Sequence, residues 1–111
     1  MTPQELLKTK FGYDDFRPGQ QAVIDDILAH KNVLTIMPTG GGKSLCYQIP
    51  ALMLDGLTLV ISPLIALMKD QVDALNDSGI PATFVNSTLD FQQIDERLAQ
   101  ARNGDVKLLY V

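Results

Sequence analysis

The sequence predicts an α/β fold in which helices cover both faces of a parallel sheet. Helical periodicity alternates with short apolar, β-branched runs along nearly the whole chain, in the order βαβαβαβ. The run at residues 57–61 is almost continuously apolar, as expected of a strand that is buried on both faces. With 46% hydrophobic residues, the 111-residue chain can build the core of one small domain or part of a larger one.

Two helices are predicted before the first strand. Residues 2–5 have the pattern of a capping box with proline at the first helical position, which opens a short helix through about Lys8. Residues 11–19 form a loop that is rich in turn residues and also in aromatic residues. The second helix carries one apolar face, made of Ala22, Val23, Ile24, Ile27 and Leu28.

Residues 33–37 are predicted to be the first strand, and a glycine-rich turn follows them. The turn reads Pro-Thr-Gly-Gly-Gly-Lys-Ser over residues 38–44, and a helix comes next, in which Pro50 is expected to kink or end the regular part. A strand, a glycine-rich turn with Lys-Ser and a helix form the unit of a P-loop NTPase. The strict pattern has glycine at the position of Met37.

The chemistry of phosphate binding explains why each residue type is expected in this turn. Gly40, Gly41 and Gly42 lack Cβ atoms, so backbone N–H groups can approach phosphate oxygens closely. The Lys43 ammonium, the predicted catalytic group, can reach the β- and γ-phosphates. At about 4 Å and an effective dielectric near 20, such a contact contributes roughly 4 kcal/mol before desolvation. The Ser44 hydroxyl is placed to ligate Mg²⁺.

Three further strands, at residues 57–61, 82–85 and 107–111, alternate with two helices, and right-handed crossovers are expected. The first of these helices is predicted to begin at Pro63 and to stop at Gly79. Its inner face is predicted to carry Leu64, Leu67, Met68, Val72 and Leu75. The second is predicted from Phe91, Ile94 and Leu98, and it closes near Gly104. Residues 107–111 resemble an interior strand.

Composition narrows the classes of function. A net charge of −4 and a pI near 4.7 argue against a strong non-specific grip on nucleic acid by this segment. The single cysteine, Cys46, cannot form an internal disulfide and is predicted to be a buried, inert thiol. No apolar run approaches the roughly 18 residues of a membrane span, and no signal-peptide pattern begins the chain. We therefore expect an intracellular protein without a membrane partner.

Three segments, in order, resemble motifs of the RecQ-type superfamily 2 DNA helicases. Residues 11–20 resemble the motif that precedes the phosphate loop in that family, and residues 37–48 resemble its motif I, which normally begins with methionine, as at Met37. Residues 61–72 resemble its motif Ia, and residues 86–88 lie where a further family motif is found. The resemblance covers essentially the whole chain and implies a partial RecA-like P-loop NTPase domain.

The resemblance also implies an ATP site. In the family, the residue at Tyr13 packs on adenine, the residue at Arg17 lies nearby, and the residue at Gln20 hydrogen-bonds the adenine edge. The amide of Gln20 offers a donor and an acceptor, which match N7 and the N6 amine of adenine. A structural turn with an aromatic staple is the alternative for these three residues. The implied contacts to the phosphates and Mg²⁺ are Thr39, Gly40, Gly41, Gly42, Lys43 and Ser44.

A DNA-binding surface is implied as well, for single-stranded DNA or its junction with duplex. Its residues are Ser62 and Pro63 at the entrance of the motif Ia helix, Lys69 and Gln71 within it, and Asn86. Backbone N–H groups at a helix entrance can contact a DNA phosphate. The alternative is a well-capped core helix, and most of its apolar residues serve packing.

As a whole, the resemblance implies an ATP-dependent 3′-to-5′ DNA helicase of recombination and repair. It would be cytoplasmic and nucleoid-associated in a bacterium, or nuclear in a eukaryote. Residues 1–111 would be the N-terminal part of its first RecA-like domain, truncated before the acidic motif II and without the second RecA-like domain and its arginine finger. We therefore expect no ATPase activity from this chain alone, and we expect residues 33–37 to lack neighbouring strands.

Two other classes stay open. One is another P-loop NTPase, a kinase or a GTPase. Small kinases usually place the loop close to the N-terminus, whereas some 36 residues precede it in this chain, and the Asn-Lys-x-Asp guanine-binding motif of GTPases is missing from the sequence. The other class is an inactive nucleotide-binding or structural stub. Comparing the binding of ATP and GTP separates these classes.

Overall fold

The computed structural model describes residues 1–37 and 42–111, which form two compact units, residues 1–55 and 56–111. The elements in chain order are α1 (Pro3–Phe11), α2 (Gln20–Leu28), α3 (Leu45–Met53), β1 (Thr58–Val60), α4 (Ile65–Asp77), β2 (Ala82–Phe84), α5 (Phe91–Arg102) and β3 (Leu108–Tyr110). A small parallel sheet flanked by helices confirms the predicted α/β class. In the described parts of the chain, no helix has the length and apolar character needed to cross a membrane.

In residues 1–55, α1 and α2 both pack against α3. The predicted cap begins α1, since the Thr2 hydroxyl accepts a hydrogen bond from the Glu5 N–H at 3.2 Å. The helix continues to Phe11, beyond the predicted end near Lys8, and stops at the left-handed Gly12. The core of this unit consists of Leu6, Leu7, Ile24 and Ile49.

Helix α3 runs through Pro50 to Met53, so of the two predicted effects of this proline, a kink or an end, the end does not occur. An interior proline removes one helical hydrogen bond and costs about 3 kcal/mol. Pro50 and its neighbours Ile49 and Ala51 are all buried, and their packing offsets that cost. The Leu54 N–H donates to the Pro50 carbonyl at 2.9 Å and closes the last turn.

Residues 33–37, which the structure describes, do not form the predicted strand. Leu34 and Ile36 are each 91% exposed. A strand needs a neighbour for its backbone groups and a covering layer for its apolar side chains, and without them water satisfies the backbone. The prediction of a strand at residues 33–37 is therefore wrong. The other expectation, that this segment lacks neighbouring strands, gives the reason.

The sheet of residues 56–111 is entirely parallel, with the order β1-β3-β2. Thr58 of β1 and Ala82 of β2 both lie opposite Leu108, so the last strand in the sequence is the central one, as predicted. Leu108, Leu109 and Tyr110 are all buried. Because successive side chains of a strand point to opposite faces, the sheet is covered on both faces at β3.

Strand β1 is covered less than the sequence predicts. Leu59 is 58% exposed and Ile61 is 83% exposed, whereas Thr58 and Val60 are partly buried. The prediction that residues 57–61 are buried on both faces is therefore wrong. The physical reason is that β1 is an edge strand, bonded only to β3.

The buried residues of α4 are Met68, Val72 and Leu75, as predicted. The helix begins at Ile65 rather than at Pro63, because Leu64 has φ −98 and ψ 75, outside the helical region. The Ser62 hydroxyl accepts a hydrogen bond from the Leu64 N–H at 3.2 Å and holds this turn. Leu64 and Leu67 are exposed, so their predicted inward positions are wrong.

Helix α5 begins with a complete capping box. The Gln93 N–H donates to the Asp90 carboxylate at 2.8 Å, and the Asp90 N–H donates to the Gln93 side chain at 3.0 Å. The helix ends at Arg102, close to the predicted stop. Of the three residues from which this helix is predicted, Phe91 is the first helical residue and is 87% exposed. Ile94 and Leu98 are half-buried.

Candidate functional site

Five of the residues predicted to bind nucleotide line one cavity of about 260 Å³ within residues 1–55. They are Tyr13, Arg17, Gln20, Gly42 and Ser44. The rest of the lining is Leu7, Phe11, Asp15, Leu45 and Gln48. Aromatic and aliphatic side chains thus surround one space together with a few polar groups, as is usual for a small-molecule pocket.

The end of α1 positions Tyr13. Gly12 adopts φ 76, its N–H donates to the Lys8 carbonyl at 3.2 Å, and the Tyr13 N–H donates to the Leu7 carbonyl at 3.2 Å. The bond from the left-handed Gly12 is that of an αL cap, and together with the Tyr13 bond it fixes the direction of the chain as it leaves the helix. The Tyr13 side chain is therefore held at the cavity while 54% of the residue stays exposed.

Gln20, the first residue of α2, connects two segments of the site. Its Oε1 accepts a hydrogen bond from the Arg17 N–H at 2.8 Å, and its Nε2 donates to the Gly42 carbonyl at 3.0 Å. A primary amide has two donor hydrogens and two acceptor lone pairs, so these two bonds leave one of each unused, on a side chain of a residue that is only 1% exposed. That remaining pair is complementary to the N7 and N6 groups of adenine.

Gly42 must be glycine for two reasons. Its φ of +80 is in the left-handed region, where side chains are strained. A Cβ atom at this position would also lie 2.2 Å from the Nε2 atom of Gln20. The absence of a side chain therefore permits the contact that joins the loop before α2 to the turn before α3.

Gly42, Lys43 and Ser44 are the predicted phosphate-binding residues that the structure describes before α3. The helix begins at Leu45, directly after the predicted turn, and the Cys46 N–H donates to the Lys43 carbonyl at 3.1 Å. The amides before Cys46 precede the helical hydrogen-bond ladder, at the positive end of the helix dipole. Ser44 makes no capping bond with its side chain, and Lys43 is exposed. Three predicted phosphate contacts, Thr39, Gly40 and Gly41, lie outside the described residues.

Ser44 fits the predicted magnesium role. Its hydroxyl is a hard oxygen donor that lines the cavity and is not used to cap the helix. Among residues 1–37 and 42–111, no group of three His, Cys, Asp or Glu side chains is arranged to hold a metal. A single protein oxygen suits Mg²⁺, which typically keeps several waters and binds through substrate phosphates.

Sequence reasoning missed the other half of the cavity lining. Gln48 lies four residues after Ser44, one helical turn along, so helical spacing alone places it on the side of α3 that faces the site. Phe11 belongs to the aromatic loop that the sequence singles out, but only the packing of α1 against α3 brings it here. Asp15 has no sequence signal of its own.

Cys46 is buried within α3, as predicted. Burial raises the pKa of the Cys46 thiol, which keeps it protonated near neutral pH. A protonated, buried thiol is a poor nucleophile and a poor metal ligand. This side chain therefore serves the packing of α3.

Three of the residues predicted to contact DNA lie at one edge of the sheet in residues 56–111. Ser62 and Pro63 follow β1, and Asn86 follows β2. The carboxyl ends of parallel strands meet at the same edge. The Ser62 N–H donates to the Val111 carbonyl at 2.9 Å and continues the ladder between β1 and β3 to this edge.

The other two, Lys69 and Gln71, lie on α4 about 200° apart, so they point to different sides of the helix. Lys69 pairs with Asp73 at 2.6 Å, and this hydrogen bond raises the pKa of the Lys69 ammonium. The Asn86 side-chain oxygen accepts a hydrogen bond from the Thr88 N–H at 2.9 Å and forms a local turn. The five residues therefore do not form one cluster.

Comparison with known proteins gives one family and a consistent set of relatives. The sequence pattern of the DEAD/DEAH box helicase family matches residues 17–111. The chain is 57% identical over 109 residues to the ATP-dependent DNA helicase RecQ of Bacillus subtilis, covering 97% of this chain and 18% of that protein.

Two further relatives agree. The RecQ helicase of Haemophilus influenzae is 54% identical over 110 residues, which covers 99% of this chain and 18% of that protein. The mouse ATP-dependent DNA helicase Q1 is 44% identical over 110 residues, covering 97% of this chain and 17% of that protein. The chain thus spans less than a fifth of the length of these relatives. Tyr13 precedes the family match but lies in the part of the chain that resembles RecQ.

Proposed function

Because this chain belongs to the DEAD/DEAH box helicase family, we propose that it forms the ATP-binding part of an ATP-dependent DNA helicase of the RecQ type. In this proposal, residues 1–111 are the N-terminal part of the first RecA-like domain. The whole helicase would use ATP to move in the 3′-to-5′ direction along single-stranded DNA in recombination and repair. The similarity to three named RecQ-type helicases over almost the whole chain supports this proposal.

The observation that carries the proposal is the contact of Gln20 with both Arg17 and Gly42 at one cavity. Adenine would stack on Tyr13, a contact that contributes about 0.5–1.5 kcal/mol beyond the buried area. The free donor and acceptor of Gln20 would then bond the adenine edge. Because Gln20 also holds the Gly42 carbonyl, the base and the phosphates would be bound in a fixed relative position.

The phosphates would bind where α3 begins. The backbone N–H groups at this end of α3 would donate hydrogen bonds to the phosphate oxygens. The exposed Lys43 ammonium would approach the β- and γ-phosphates. Ser44 would hold Mg²⁺, which in phosphoryl transfer neutralises the charge that develops on the phosphate oxygens. Lys43 would therefore act on the reacting phosphate, and Gln20 and Tyr13 on the base.

The test compares the binding of ATP and GTP by the parent chain, Gln20→Ala and Gln21→Ala. Gln21 is the matched control, because it is the next residue of α2, is exposed, and bonds only to Asp25 among the contacts of the described residues. Leaving a base edge unpaired costs about 1–3 kcal/mol. We expect Gln20→Ala to weaken ATP binding roughly ten- to a hundredfold and to narrow the preference over GTP, while Gln21→Ala leaves both unchanged.

Other outcomes identify the other classes. A preference for GTP in the parent chain would favour another kind of P-loop NTPase. Binding of neither nucleotide would favour a structural role for the turn around Gly42. An unchanged ratio of ATP to GTP affinity in Gln20→Ala would reject the role of this amide in reading adenine.

We also propose that the edge of the sheet marked by Ser62, Pro63 and Asn86, together with α4, faces DNA in the whole helicase. The protein would then act at chromosomal DNA, in the nucleoid of a bacterium or the nucleus of a eukaryote. Lys69 would meet a phosphate after leaving Asp73, and Gln71 would contact the strand from another side of the helix. The exposure of Lys69 and the position of α4 at the carboxyl edge support this proposal.

The chain offers a matched control for Lys69. Its side chain is 70% exposed and pairs with Asp73, while the Lys31 side chain is 68% exposed and pairs with Asp26 in the other unit. Each phosphate contact to single-stranded DNA contributes about 0.7 to the slope of log affinity against log salt. We expect Lys69→Ala to lower this slope by about that amount and Lys31→Ala to leave it unchanged. Equal slopes of log affinity against log salt in the two variants would show that Lys69 does not contact a DNA phosphate.

A further inference from the structure

The outer edge of β2 carries backbone groups that face away from the sheet. The Val85 N–H donates to the Tyr110 carbonyl of the β3 segment at 2.9 Å. Successive residues direct their backbone groups to alternate sides of a strand, so Thr83 also faces β3. Ala82 and Phe84 therefore direct their N–H and C=O groups outward, where an added strand would bind.

The side chain of Asn76, on α4, occupies both outward groups of Ala82. Its Nδ2 donates to the Ala82 carbonyl at 3.2 Å, and its Oδ1 accepts from the Ala82 N–H at 3.0 Å. A residue of a neighbouring strand would supply the same donor and the same acceptor. Asn76 thus takes the place of a strand neighbour at the start of β2.

The side chain of Arg97, on α5, covers the other end of the strand. Its Nη1 donates to the Phe84 carbonyl at 2.9 Å, and its guanidinium carbon lies 4.5 Å from the centre of the Phe84 ring. The planar guanidinium can hydrogen-bond and stack at the same time. Asn76 and Arg97 thus bond three of the four outward backbone groups of Ala82 and Phe84, and the fourth is the Phe84 N–H.

We infer that Asn76 and Arg97 close the β2 edge to strand addition by another chain. An open edge strand is a template for pairing with another chain, and charged side chains are a common protection. The groove beside β2 is also lined by the charged residues Lys69, Asp73 and Glu96. On the opposite edge, Leu59 of β1 is 58% exposed.

The test measures amide hydrogen exchange over a dilution series of the chain, without nucleotide, so that its result is independent of the proposed function. Strand addition at an edge protects the outward amides of that edge as concentration rises. In the parent chain we expect the exchange of the Ala82 and Phe84 amides to be independent of concentration. If the chain associates through its sheet, we expect protection to rise at Leu59 instead. Concentration-dependent protection of Phe84 in the parent chain would overturn the inference.

The double variant Asn76→Ala, Arg97→Ala opens the edge, and Arg102→Ala, Asn103→Ala is the matched control at the exposed end of α5. At low concentration we expect hydrogen exchange at the Ala82 amide to accelerate about two- to tenfold, because the net free energy of one hydrogen bond corresponds to a factor of this size. At high concentration we expect new protection at Ala82 and Phe84 in this variant only. A folded double variant that gains no protection there would overturn the inference.

The Thr83 amide, which faces β3, reports whether the double variant stays folded. If Thr83 loses its protection, Arg97→Ala alone is used, because this variant leaves the bonds between Asn76 and Ala82 in place. We then expect concentration-dependent protection at Phe84 and none at Ala82. If the Phe84 amide of Arg97→Ala gains no protection at high concentration, the inference is overturned.

Discussion

Residues 1–55 and 56–111 each contain a side-chain amide that bonds two backbone groups, and the two amides have different surroundings. Gln20 joins Arg17 to Gly42, lines a cavity, and has one donor and one acceptor that these bonds leave unused. Asn76 bonds both groups of Ala82 at the edge of a sheet. The same chemistry therefore connects two segments of the chain at Gln20, and occupies the outward groups of an edge strand at Asn76.

The two regions differ as much in their strands. Residues 33–37 carry the apolar pattern of a strand, yet Leu34 is 91% exposed, whereas Leu108 of β3 is fully buried between two neighbours. The cavity that Tyr13, Arg17 and Gln20 line is nevertheless formed in residues 1–55, because a helix cap and one amide bridge position these residues. A local motif can thus form where the strand that precedes it does not.

The largest expected effect is on the packing of β3. Leu108→Ala removes a fully buried side chain from the central strand, and such a change costs about 2–5 kcal/mol. Leu34→Ala is the matched change at an exposed site and should stay within about 0.5 kcal/mol. Urea titrations measure both, followed by the amide signals of β3 for Leu108→Ala and by those of α3, in the same unit as Leu34, for Leu34→Ala. Equal losses in the two variants would show that residues 33–37 are packed as tightly as the sheet.

A smaller effect is expected from Gly42→Ala, with Gly104→Ala as its control. Both glycines have φ near +80, and a side chain there costs about 1–2 kcal/mol. Only at Gly42 would the new Cβ also displace Gln20, with the loss of a hydrogen bond that contributes about 0.5–1.5 kcal/mol. At Gly104 nothing lies within 4 Å of the added atom. We expect Gly42→Ala alone to reduce the preference for ATP over GTP, and equal preference in both variants would contradict the role of the bridge.

Much of the fold follows from local signals in the sequence. The cap at Thr2, the stop near Gly104 and the three strands of the sheet are where the sequence predicts them. The errors occur where a side-chain hydrogen bond or burial overrides the helical pattern. Leu64 leaves the helical region because Ser62 holds its amide, and Pro50 stays within α3 because its neighbours are buried.

The candidate site was predictable to a similar degree. Tyr13, Arg17 and Gln20 follow from the resemblance of the loop to a family motif, and the structure brings them to one cavity with Gly42. The bridge from Gln20 to Gly42 joins residues 22 positions apart, and no local pattern encodes it. The roles of Tyr13, Arg17 and Gln20 in binding nucleotide stay predictions.

The most direct test of the account is an ATP titration with Mg²⁺, followed by the side-chain amide signals of Gln20 and Asn76. Both amides bond two backbone groups, but only Gln20 lines the cavity. We predict that ATP shifts the Gln20 side-chain signal, that GTP shifts it less, and that the Asn76 signal stays unchanged with both. Saturable binding of ATP with no shift at Gln20, or with equal shifts at Gln20 and Asn76, would contradict the account.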